Sequence, residues 1–186
     1  AKLHENLTLS VEGYYKRMRN LPLIYDSDDY LLANGGFIYG TGRAFGIEAM
    51  LQYQTERLSL TASYTYTDSR RRSDGVTYPF EYDVPHDFNA FVSYEVVKRP
   101  GRKHTFSLNV AWRSGLPYRL TNESYPDTDG NPIIGITAYP TMRMHNYFRA
   151  DVSYNMERCK RNGVRNWQFS IINATWHKNP VSIYPY

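Results

Sequence analysis

Residues able to do acid–base, metal or phosphate chemistry are thinly spread in this chain. Pro85-His86-Asp87 puts an imidazole beside a carboxylate, a pairing that serves general-base or metal chemistry once a third group converges on it. No third group stands at ligand spacing, and His4, His104, His145 and His177 are scattered. Proline cannot join a strand ladder and aspartate caps turn amides, so the tripeptide reads as a turn ahead of a strand. There is no HExxH, no GxSxG and no glycine-rich phosphate loop. The expectation is a protein that is not an enzyme, with no catalytic residue, no metal ligand and no cofactor. Cys159 is the one cysteine, which excludes an internal disulfide and a multi-cysteine metal site.

The charged residues fall into three groups. Arg70-Arg71-Arg72 sits in a connection, where it reads as a solvated run; contact with lipopolysaccharide phosphates or another anion is the functional alternative. Lys98, Arg99, Arg102 and Lys103 form a second group, and Arg158, Lys160, Arg161 and Arg165 a third. Nucleic-acid binding would need such charges on one face with stacking aromatics between them. Here they belong to turns at one rim, so no nucleic-acid partner is expected. The net charge is only +4.

Those residues have to be positioned by strands. The clearest is the hairpin 43–69, whose second arm sets Leu58, Leu60, Ala62, Tyr64 and Tyr66 against Ser59, Thr61, Ser63, Thr65 and Thr67. Side chains alternate faces along a strand, so this arm has one apolar and one small polar surface. Its first arm alternates Phe45, Ile47, Ala49, Leu51 and Tyr53 with Gly46, Glu48, Gln52 and Gln54, and only Thr55, Glu56 and Arg57 join the two. The same pattern predicts strands at 6–18, 87–98, 104–114, 147–156 and 166–176, seven in all. No helical period of similar quality appears.

The links alternate long and short: 19–42, 69–85 and 115–146 are long, the others tight. Successive links of an antiparallel meander fall at opposite ends, so every long loop shares one end. Strands of about 10 residues with one apolar face, and loops on one side only, are the pattern of an outer-membrane β-barrel. Closed backbone pairing is what lipid demands. Aromatics are 16% of the chain and 18 residues are tyrosines, and Tyr15, Tyr53, Tyr66, Trp112 and Trp167 near strand ends would supply interfacial girdles. A soluble β-sandwich is the alternative, with apolar faces meeting in a core. Seven strands do not close an ordinary bacterial barrel, which uses an even number, so the chain reads as part of a larger one.

On this reading Glu12, Glu48, Arg113, Arg149 and Asp151 are lumenal, pairing across strands or gripping a plug, with substrate contact as the alternative. Tyr25, Tyr30, Tyr39, Tyr78 and Tyr82 sit in the long loops and are the candidates for ligand or partner contact. The opening AKLHENLTLS has no charged n-region and no apolar h-region, so a signal peptide is not expected within it.

A run of motifs in order adds a family resemblance. Gly40-Thr41-Gly42-Arg43-Ala44-Phe45-Gly46-Ile47-Glu48 resembles the GxGRAxGIE strand of Bacteroidota-type TonB-dependent receptors, and Ser63-Tyr64-Thr65-Tyr66 their SYTYS segment. Tyr78-Pro79, Tyr82-Asp83, Pro85-His86-Asp87 and Asn89 resemble YPxxYDxPHDxN; Trp112, Ser114-Gly115 and Pro117-Tyr118 resemble WxSGxPY. Residues 147–154 are similar to YxRLDxSY, and Trp167, Phe169-Ser170-Ile171, Asn173 and Asn179-Pro180 through Tyr184 to WxFSIxNxxxxxNPxSIY. The resemblance implies a barrel of about 22 strands, of which residues 1–186 would be one partial domain without its plug or closing strand. It implies an all-β transmembrane barrel in the cell outer membrane, with long extracellular loops and short periplasmic turns. The expected function is TonB-dependent uptake of a scarce nutrient: a chelated metal (siderophore, haem, cobalamin) or an oligomer. The expected partners are outer-membrane lipid, the rest of the barrel, the plug, TonB through the missing N-terminal part, and a surface lipoprotein. A passive or structural outer-membrane barrel is the alternative from another class.

Overall fold

The structure is a computed structural model that describes residues 2–23, 38–73, 75–119, 121–126, 132–136 and 139–180. Among them there is no helix. The strands, in chain order, are β1 (Lys2–His4), β2 (Leu7–Leu23), β3 (Ile38–Gln54), β4 (Leu58–Ser73), β5 (Val76–Pro79), β6 (His86–Arg99), β7 (Arg102–Arg113), β8 (Pro117–Tyr118), β9 (Thr121–Pro126), β10 (Pro132–Ile136), β11 (Met142–Arg143), β12 (Tyr147–Lys160) and β13 (Gly163–Ile171). One nine-stranded sheet runs β1-β2-β3-β4-β6-β7-β12-β13, with β5 paired to β4 off that path. Every pairing in it is antiparallel. Two small sheets, β9 with β10 and β8 with β11, occupy the longest connection.

The expected alternation of links is present. Residues 5–6, 55–57, 100–101 and 161–162 make the tight turns at one end, the turn end. Gly101 (φ 73) and Gly163 (φ 142) adopt the positive φ that two of those turns need. In the turn at 55–57 the Thr55 hydroxyl accepts from the Leu58 amide at 2.9 Å.

Four expectations need correction. The meander holds an eighth wall strand: β1 pairs with β2 across a two-residue link, because the alternation continues back through residue 2. Strands β2 and β3 reach 17 residues each and run into the expected loop at 19–42 from both sides, to Leu23 and from Ile38. Arg70, Arg71 and Arg72 belong to β4, not to a loop, since β5 folds back and pairs with them. The last strand is Gly163–Ile171 rather than 166–176; it ends where Asn173 (φ 53) and Trp176 (φ 58) turn the chain aside.

Register makes the faces continuous. Leu9, Leu51, Ala62, Ala90, Val110 and Ala150 stand abreast across six strands. So do Ser59, Ser93, Ser107, Ser153 and Ser170 on the opposite face. A one-residue slip anywhere would exchange the two faces. Among the described residues the apolar face has no second layer. Val11 is 61% exposed, Phe169 60% and Ile171 64%, and apart from prolines Ala150 is the one buried hydrophobic residue among those described. A soluble sandwich would bury these side chains, so that alternative is excluded. Among the described residues the sheet is open: β1 pairs only with β2 and β13 only with β12.

Two aromatic bands border the apolar face. Towards the loops, Phe45, Tyr66, His86 and Trp112 form a chain of rings with neighbouring centroids 6.1, 5.3 and 6.2 Å apart. Towards the turns, Phe106 packs on Tyr154 at 4.9 Å, with Tyr94 and Phe169 beside them in register. Each band holds one His–Tyr hydrogen bond on this face: His86 Nδ1 with the Tyr64 hydroxyl at 2.7 Å, and His104 Nδ1 with the Tyr154 hydroxyl at 2.6 Å. His86 therefore opens a strand and satisfies a tyrosine, which is why no third chemical group accompanies it. From His86 to Tyr94 is about 27 Å of strand, or roughly 20 Å of thickness at a tilt near 40°, which matches an apolar membrane band.

Candidate functional site

The polar face carries the charged residues singled out by sequence. Glu12 and Glu48 stand directly opposite each other, followed in the same row by Thr65, Asp87, Arg113 and Tyr147. Strand alternation alone puts them there, and one row thus holds three carboxylates on four adjacent strands. Arg113 lies with its guanidinium 4.6 Å from the centre of the Tyr147 ring, a contact that holds the cation against the wall.

Arg149 and Asp151 neutralise each other, two residues apart on one face, through contacts of 2.8 and 2.9 Å. Asp151 also accepts from the Asn173 amide at 2.8 Å. Just above, the Asn179 side chain accepts from the Phe148 amide at 2.8 Å and donates to its carbonyl at 2.9 Å. Strand β13 stops at Ile171, so the loop-end half of β12 loses its partner there. Ala174, whose amide donates to the Ala150 carbonyl, and Asn179 take over backbone groups on that side, as backbone at membrane depth requires. Asp151 is an anchor of the wall.

The mouth at the loop end is built around Asp83. Its side chain is 2% exposed; it accepts from the Ser69 amide at 2.7 Å and is ion-paired to Arg143. Arg143 also donates to the Asp83 carbonyl at 2.9 Å and to the Gly115 carbonyl at 3.2 Å. One buried carboxylate thus ties the end of β4, the 80–85 loop and β11 together. Around it Tyr78 stacks on Tyr139 at 4.4 Å, Arg119 pairs with Glu81 at 2.6 Å, and the Arg71 guanidinium lies 4.1 Å from the Phe80 ring centre. Burial lowers the Arg71 pKa from its ordinary value.

Tyr82 is 72% exposed beside that clamp. With Val84 it overhangs a recess of about 320 Å³ whose floor is Thr65, Thr67, Asp87 and Asn89 of the polar face. Such a recess offers a ligand one aromatic face, hydroxyls and a carboxylate. The candidate residues therefore separate. Tyr82 and Tyr78 belong to the mouth on the polar side, with Glu48, Asp87 and Arg113 beneath. Tyr39 lies in β3 rather than in a loop, and its register puts it on the apolar side. Tyr25 and Tyr30 fall outside the described residues. Sequence reasoning missed Asp83 and Arg143, which lie 60 residues apart. The isolated acidic residue between Tyr82 and Pro85 was the available signal.

Among the described residues no group of His, Cys, Asp and Glu could hold a metal ion. A protein-family model described as "TonB dependent receptor-like, beta-barrel" matches residues 2–175. No curated protein and no solved structure matches the chain.

Proposed function

Given that the chain belongs to the TonB-dependent receptor-like β-barrel family, whose members are outer-membrane transporters, we propose that it forms the C-terminal wall and outer mouth of a Bacteroidota-type receptor. That receptor actively imports a scarce nutrient: a chelated metal such as a ferric siderophore, haem or cobalamin, or an oligomer. One observation carries this reading. The extracellular clamp presents Tyr82 over the lumenal side of the wall, above Thr65, Asp87 and Asn89, where an incoming solute passes before it reaches a plug. A plug domain and TonB are the partners that active import requires, and a surface lipoprotein is a further proposed partner at the mouth.

The test uses the full-length receptor returned to a strain deleted for its gene, with uptake of ferric siderophore, haem and cobalamin measured separately. Loss of TonB should abolish uptake of one of them, and Tyr82→Ala should lower it several-fold at an equal surface level. Uptake that survives loss of TonB would identify a passive pore instead.

A further inference from the structure

Strand alternation splits the Arg70-Arg71-Arg72 run: Arg71 turns inward to Phe80, and Arg70 and Arg72 turn outward, on the face of Tyr64 and Tyr66. Two arginines far off in sequence join them. Arg17 of β2 stands directly opposite Arg43 of β3, and Arg43 directly opposite Arg70 of β4. Arg72 is one step further out, opposite Thr41. All four are exposed. Together with Tyr15 and Thr77 they line an outward recess of about 360 Å³.

The place of this row matters as much as its charge. Arg43 is two residues beyond Phe45, about 7 Å of strand, and Phe45 belongs to the extracellular aromatic band. The recess therefore opens away from the lumen, at the height where lipid headgroups meet water. Like charges directly opposite one another on neighbouring strands destabilise a sheet. Strands about 4.8 Å apart bring three guanidinium groups within a span of about 10 Å. Of the row only Arg70 has a carboxylate partner among the described residues, Asp68 at 2.8 Å, whereas Arg17 and Arg43 have none. An anion between them would turn the repulsion into charge-assisted hydrogen bonds, and a phosphate accepts from several planar guanidinium forks at once.

We propose that Arg17, Arg43, Arg70 and Arg72 form an outward binding site for the phosphate of an outer-leaflet glycolipid. The lipid's acyl chains lie along the apolar face below, over Tyr15, Phe45 and Tyr66, and its phosphate enters the recess. This site is separate from the lumenal path. It would fix the height of the barrel in an asymmetric membrane.

The full-length receptor is reconstituted in nanodiscs and its binding of diphosphorylated lipid A is compared with binding of the dephosphorylated form. The unaltered protein should prefer the phosphorylated lipid at least tenfold, and the preference should fall steeply between 50 mM and 500 mM salt. The triple variant Arg17→Gln, Arg43→Gln, Arg72→Gln should lose it. Asp68→Asn, which releases Arg70, should strengthen it, and this variant keeps the test informative if the triple variant does not fold. Equal binding of the two lipids by the unaltered protein overturns the proposal, as it would if the arginines were neutralised by the protein's own acidic loop. Displacement of the lipid by low-millimolar inorganic phosphate also overturns it, in favour of a site for a soluble anion.

Discussion

The ring of Tyr14 lies across Gly46, the residue directly opposite it on the next strand, and its hydroxyl meets Thr67 of the strand beyond at 3.1 Å. A Cβ at Gly46 would stand 2.7 Å from that ring and 2.5 Å from the Tyr66 carbonyl oxygen. Gly46, the second glycine of GRAFGIE, is thus required by close approach on the lumenal side. Gly46→Ala should destabilise the full-length barrel by about 1–3 kcal/mol through overpacking. Gly13→Ala is the control, since a Cβ there is 3.9 Å from its nearest contact. The temperature at which the heat-modifiable gel band shifts should fall for the first variant and stay unchanged for the second.

Ala62 and Ser63 test the faces directly. Ala62 sits mid-strand between Leu51 and Ala90, and Ser63 between Met50 and Asn89 on the opposite face. Ala62→Arg should cost about 2–4 kcal/mol by exposing a guanidinium to hydrocarbon, and Ser63→Arg much less. Urea unfolding in lipid vesicles measures both, and equal losses would contradict the assignment of faces.

Asp83 should be sensitive out of proportion to its place in a loop. Asp83→Ala removes the carboxylate from Arg143, which keeps only its two carbonyl acceptors, and leaves the Ser69 amide without its acceptor, which should cost about 1–3 kcal/mol. The loss is expected to be local. Limited proteolysis of intact cells should cut the 80–85 and 139–146 segments faster, while the wall keeps its gel mobility. Arg143→Met added to Asp83→Ala should cost less than the sum of the two, because the pair shares its partners.

Asn179 replaces a missing strand with one side chain. Asn179→Ala removes both hydrogen bonds to Phe148, whereas Asn179→Gln has the same groups on a longer arm and cannot seat both. Each variant should lower the unfolding temperature of the full-length barrel, and hydrogen exchange should localise the change to the amide of Phe148. An unchanged Phe148 amide would show that neighbouring structure, not Asn179, protects it.

Local pattern in the chain was enough to determine the wall. Period-two alternation, tight turns at one end and long links at the other set the order of the seven long strands and their two faces, because a strand's side chains must alternate. The same pattern placed Glu12, Glu48, Arg113, Arg149 and Asp151 on the polar face. Alternation could not say where a strand stops, since polar residues continue a strand beyond the membrane as readily as they end it; hence β4 carries Arg70–Arg72 outside the apolar band. Nor could it show which distant residues become neighbours. Asp83 finds Arg143, Arg17 finds Arg43 and Arg70, and Asn179 finds Phe148 only once hairpins have been laid side by side. Those contacts arise between segments with no shared local signal, so tertiary structure alone decided the clamp at the mouth and the arginine row outside it.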